Sequence, residues 1–149
     1  MKTFLPILLA GILISSSPLY PSTIKTPTDL GNWLKSNFTY KDEIEDYWQS
    51  SEETVKLKTG DCDDLMILSD KILTDLGYDS TKLAIYFSEG SGHGVTLLKI
   101  DGYYTLFSNT QYLSKKFKSF GVMLNYYFPT WNKVYVIIGK KKGILIGER

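Results

Sequence analysis

The spacing of apolar positions changes once along the chain. Between residues 26 and 76 they recur at helical intervals. Thr26-Pro27-Thr28 predicts a helix start, with Leu30, Trp33, Leu34 and Phe38 on one face. Ser50 and Ser51 followed by Glu53 predict a second, short capped helix running to Leu57. The clearest helix covers 62–76. Asp61 is a good N-cap, and Asp63 and Asp64 suit the positive end of the helix dipole. Leu65, Met66, Ser69, Ile72, Leu73 and Leu76 share a face, Cys62 lies one turn back on it, and Gly77 is the expected stop. Beyond Gly77 the chain favours β-formers. Lys82–Ser88, His93–Ile100, Tyr103–Phe107 and Lys133–Ile138 predict strands, Gly143–Ile146 a short fifth, and Asp101-Gly102 a hairpin turn. Helices first and strands afterwards predict an α+β fold with an antiparallel sheet.

The N-terminus follows another pattern. Lys2 precedes the apolar run Phe4–Ile14, and Ser15-Ser16-Ser17-Pro18 comes next. A short positive start, a short apolar stretch and small residues are the layout of a secretory signal. The run falls short of the roughly 20 residues a spanning helix needs. Residues 1–20 are therefore expected to be a signal peptide or N-terminal anchor, and 21–149 the folded domain. The alternative is a buried N-terminal helix. Residues 18–27, with three prolines, read as a linker. The expected location is outside the cell or in its envelope, with the N-terminus available as a membrane tether.

Composition narrows the field. A chain of 149 residues, 43% hydrophobic, suits one domain. An aromatic share of 14% argues against disorder. The net charge is +1 and falls to zero once Lys2 is removed with a leader, so a nucleic-acid partner is not expected. The aromatic stretch Phe117, Phe120, Tyr126, Tyr127, Phe128 and Trp131 lies near Lys115, Lys116 and Lys118. It reads as core and groove lining, because nucleic-acid binding needs a wider basic surface. One cysteine and one histidine exclude a disulfide framework, a multi-cysteine zinc site and His-rich metal chemistry.

Those single copies are the candidate chemistry. Cys62 opens a helix, where the backbone dipole favours the nucleophilic thiolate. Asp61, Asp63 and Asp64 oppose that effect, so activation needs a neighbouring base. His93 lies in Gly90-Ser91-Gly92-His93-Gly94 at a strand start. Flanking glycines allow close backbone approach there.

Trp48, Glu53-Thr54, Thr59-Gly60-Asp61-Cys62-Asp63-Asp64-Leu65, Leu76-Gly77-Tyr78, His93 and Gly102-Tyr103-Tyr104 together resemble the transglutaminase-like cysteine proteinase superfamily, over roughly residues 28–112. The resemblance implies a papain-like α+β core in which the Cys-bearing helix packs on an antiparallel sheet. By that resemblance Cys62 is the nucleophile and His93 the general base, then acid. The reaction would be acyl transfer through a thioester, to water or to an amine, on a protein or peptide substrate. The oxyanion would be held by the Cys62 N–H and a side chain near Trp48 or Gln49. No cofactor is required. Asp61, Asp63 and Asp64 have two readings, a solvated capping turn or a calcium site of the kind some bacterial relatives carry. The chain departs from the family at the third catalytic position. An Asp is usual there, and this chain offers Ser108 and Asn109. Alignment favours Ser108. The chemistry favours Asn109, whose amide oxygen can accept from a ring N–H, and Asn109 is the expected partner if a bulge turns it inward. The alternative function is a catalytically silent domain that binds peptides.

Overall fold

The computed structural model describes residues 18–42 and 47–149. Three helices come first, each opened by a reciprocal cap. In α1 (Pro27–Asn37) Thr26 and Asp29 exchange side chain–backbone hydrogen bonds. Ser50 and Glu53 do so for α2 (Ser51–Leu57), and Asp61 and Asp64 for α3 (Cys62–Asp75). Each box satisfies backbone N–H groups that a helix start otherwise leaves without partners. A two-residue parallel pair, β1 (Thr39–Tyr40) with β2 (Thr59–Gly60), ties the exit of α1 to the approach to α3.

Six antiparallel strands follow: β3 (Asp79–Phe87), β4 (Gly92–Ile100), β5 (Tyr103–Ser108), β6 (Gln111–Phe117), β7 (Trp131–Ile138) and β8 (Lys141–Glu148). Their order in the sheet is β6-β5-β4-β3-β7-β8. The last helix, α4 (Phe120–Tyr127), lies between β6 and β7. Strand alternation sorts the apolar side chains into two layers. Leu98 and Phe107 pack with Leu30, Leu34, Leu65, Leu68 and Ile72 on the side of α1 and α3. Leu83, Ile85, Val95, Leu106 and Val134 pack with Met123 and Leu124 of α4 on the other. Thr96, on the α3 side, donates to the Met66 carbonyl at 3.0 Å, so that face is tied to α3 by a hydrogen bond as well as by packing.

The α+β architecture with its antiparallel sheet is as the sequence predicts. Two expectations change. The stretch 18–27 is not a linker: Ile24 is buried, and Leu19 and Tyr20 pack against the α1–α3 core. Its prolines shape a turn, in which the Ile24 N–H donates to the Pro21 carbonyl. β6 and α4 replace what read only as an aromatic tail. The expected signal or anchor lies mostly outside the described residues, and its last two members are these core-packing residues. Among the described residues no helix is long and apolar enough to cross a membrane.

Candidate active site

The first turn of α3 is locked in place. Asp61 Oδ1 accepts from the N–H groups of Asp63 at 3.0 Å and Asp64 at 3.3 Å. The Asp64 carboxylate turns inward, is fully buried, and accepts from the N–H of Asp61 at 3.2 Å and of Gln49 at 2.7 Å. Gly60 makes room for it, since a Cβ there would stand 2.7 Å from Asp64 Cβ. Cys62 is therefore the first helical residue of a rigid turn, and its sulfur is half-buried.

β4 supplies the other wall. Gly94 is the residue that faces the turn: a Cβ on it would lie 2.6 Å from Asp63 Oδ1 and 3.1 Å from the Cys62 carbonyl oxygen. The Gly94 N–H reaches the Cys62 sulfur. Alternation then sends the His93 ring to the opposite face of β4, where it lies 6.0 Å from the Phe128 ring. Ser108 pairs with Val95, two residues along, which puts it on that same face. Its Oγ sits 2.8 Å from His93 Nε2. Cys62 and His93 thus flank one strand backbone, and both border a cleft of about 730 Å³ at its N-terminal end. Among the described residues no hydrogen bond joins sulfur and ring. The thiol instead donates weakly to Asp63 Oδ1 at 3.9 Å.

The electrostatics favour a neutral pair. Burial pushes the Cys62 thiol up to about 11, and Asp63 and Asp61 add to the rise, while the N–H groups of Gly94 and of Cys62 itself counter it. Burial also lowers the His93 pKa. With no carboxylate on the ring, both shifts favour the thiol and the neutral imidazole.

The residue placed against the ring is Ser108, where the sequence reading prefers Asn109. The register of β5 on β6 shifts between Tyr104 and Leu106 and then runs regularly to Ser108 opposite Gln111, so no bulge at the strand end rotates Asn109 toward the ring. Asn109 takes φ 52 in the β5–β6 turn. Its Oδ1 is buried and, among the described residues, without a hydrogen-bond partner. Of the two expected oxyanion neighbours, Trp48 borders the cleft and Gln49 does not. Gln49 is buried, and its side-chain oxygen accepts from Thr54 Oγ1 at 3.1 Å. Asp64 leaves the acidic cluster for the interior. Ligand atoms of Asp61, Cys62 and Asp63 remain within 4.8 Å of one another. Sequence reasoning missed Tyr86, Lys140 and Lys142, which line the cleft only because β7 and β8 extend the sheet beside β3.

The transglutaminase-like domain profile matches residues 13–138. The chain belongs to the transglutaminase-like domain family. No curated protein matches it. Among solved structures, Legionella pneumophila LapG in calcium-bound form is 18% identical, over 77% of this chain and 70% of that one, with a TM-score of 0.49. A second structure of Legionella pneumophila LapG is 17% identical, over 74% and 65%, with a TM-score of 0.50. A candidate cysteine protease from Cytophaga hutchinsonii is 13% identical, over 74% and 43%, with a TM-score of 0.48. At such identities the likeness is one of fold. The chain spans less than half of the third protein and about two thirds of LapG.

Proposed function

We propose that this domain is a thiol-dependent acyl transferase of the peptidase type, exported, acting on peptide amides through Cys62 and His93. The observation that carries the reading is the arrangement about β4. A thiol at a helix start and an imidazole steadied through Nε2 border one cleft, and in this reading Nδ1 is the nitrogen that takes the sulfur proton. In the reaction Cys62 Sγ attacks the amide carbon as its proton passes to His93. The imidazolium then gives that proton to the departing amine as the C–N bond breaks, leaving a thioester. Water, deprotonated by the same ring, attacks the thioester; the C–S bond breaks, the acid leaves, and the imidazolium returns its proton to Cys62 Sγ. The Cys62 N–H suits the oxyanion, because Asp61 engages the next two amides and leaves this one aside.

The same reading gives calcium a place. LapG has been solved with calcium bound, and Asp61 and Asp63 are the clustered carboxylates here. They would hold the ion, with water and carbonyl oxygens completing the six to eight ligands it takes. Bound there, it supplies positive charge that offsets the two carboxylates raising the thiol pKa. Catalytic steps pass through Cys62 and His93 alone.

A second reading is a peptide-binding domain without catalysis. It is favoured by the raised thiol pKa and by the serine on the ring. Alkylation of Cys62 by iodoacetamide across pH, with and without calcium, separates the two. The enzyme reading expects reactivity near neutral pH that falls at least tenfold in His93→Ala, together with peptide hydrolysis abolished in Cys62→Ala. Reactivity that His93→Ala leaves unchanged, rising only as pH nears 11, supports the silent domain.

A further inference from the structure

The cleft is charged at both ends. Asp63 borders it beside Cys62, and Lys140 and Lys142 border it from the β7–β8 hairpin. The hairpin brings Lys142 opposite Ile137. Its ammonium lies 4.2 Å from the Tyr86 ring centre and 4.4 Å from that of Tyr135. The two rings stand edge to face with centres 5.8 Å apart, forming an aromatic corner that holds the cation in one place. Lys140 donates to the Trp48 carbonyl at 2.5 Å and lies 5.8 Å from the Tyr47 ring centre. Both lysines are thus oriented by neutral groups. The ion pairs among the described residues are Lys71–Asp75 and Lys133–Glu148, and neither involves the cleft. Among the described residues, Glu53 lies within electrostatic reach of Lys140, which helps to lower its carboxyl pKa.

Two ammonium groups steadied on rings and a carbonyl, facing a concave surface, are arranged to receive an anion. Aromatic walls at Trp48 and Tyr86 suit the flat backbone and apolar parts of a peptide. We propose that Lys140 and Lys142 form a carboxylate subsite of this cleft, so that the domain selects peptides carrying an acidic group beside the segment presented to Cys62. This rests on the reading of the cleft as a peptide site. The carboxylate comes from an Asp or Glu side chain or from a peptide C-terminus. The charge also works against the wrong ligand, since a basic residue at that position would face two ammonium groups.

The test uses binding, so that it stands apart from catalysis. Fluorescein-labelled heptapeptides with amidated C-termini and a central Glu, Gln or Lys are titrated into full-length Cys62→Ser protein, followed by anisotropy. A matched Gln peptide with a free C-terminus is run beside them. The expected result is at least tenfold tighter binding of the Glu peptide than of its Gln twin, weakest binding of the Lys peptide, and loss of the difference in Lys142→Gln and in Lys140→Gln. If only the free C-terminus confers the gain, the subsite reads chain ends rather than side chains. Equal binding of the Glu and amidated Gln peptides, with no gain from a free C-terminus, overturns the proposal. So does a preference that survives both lysine substitutions in protein of native circular dichroism. Acid-selective binding in a chain whose Cys62 proves unreactive would refute the acyl-transfer reading while leaving the carboxylate subsite standing.

Discussion

At residue 108 a hydroxyl stands where a carboxylate would make the imidazole a stronger base. Ser108 Oγ sits 2.8 Å from His93 Nε2 and fixes the ring's orientation, but it adds no charge to stabilise an imidazolium. Burial then lowers the His93 pKa without opposition. Replacing the serine by aspartate should restore the missing charge. In Ser108→Asp the apparent pKa of Cys62 alkylation should fall by about one unit or more, read from iodoacetamide rates against pH. A second consequence concerns stability. The thiol titrates at about 11 in the fold against an ordinary 9.0, so the folded chain holds this proton more tightly than the unfolded one. That contribution is intact below pH 9 and is lost as pH rises through about 11. The melting temperature should drop across this window, and drop less in Cys62→Ser.

At the scale of elements, the site depends on how closely α3 approaches β4. Gly94 is the hinge of that contact, because a methyl group there would meet Asp63 Oδ1 at 2.6 Å and the Cys62 carbonyl oxygen at 3.1 Å. Gly94→Ala should cost roughly 1–3 kcal/mol, seen as a lower urea midpoint, and should slow Cys62 alkylation by moving the sulfur away from the cleft. Much of this was legible in the sequence. Asp61, Cys62 and Gly77 mark the limits of α3 by cap chemistry that is local, and the glycines around His93 announce a close approach. β6 and α4 were harder to see. β6 carries Lys115 and Lys116 as an exposed edge, and α4 is eight residues rich in aromatics that owe their helix to packing on the sheet and a Ser119 cap. The identity of the ring's partner was decided by register. Ser108 against Val95 is a pairing between strands, and a one-residue slip would have put Asn109 there instead.

For the whole molecule, the sheet is a partition between two cores, and the candidate catalytic groups belong to different sides of it. Cys62 rests on the α1–α3 layer and His93 on the layer closed by α4. The partition is less protected at one edge. β8 ends the sheet, and Ile144, Leu145 and Ile146 on it are exposed. An apolar edge with unpaired backbone groups invites pairing with another chain. Ile144→Lys should reduce light scattering of concentrated samples while leaving the melting temperature within about a degree, since surface changes away from packed features typically move stability by no more than about 0.5 kcal/mol. The lysines of the cleft descend from this same hairpin, so the edge that risks association is also the one that completes the pocket.

The sulfur's position beneath the Gly94 amide has a bearing on durability. Oxidants such as peroxide attack the thiolate, and a thiol held protonated and half-covered offers little of it. A lone cysteine has no partner within the chain to resolve a sulfenic acid as a disulfide, so damage there would be lasting. The close fit of α3 on β4 is therefore a form of storage. Without calcium, Cys62 should outlast free cysteine in millimolar hydrogen peroxide at pH 7, as intact-mass measurement would show.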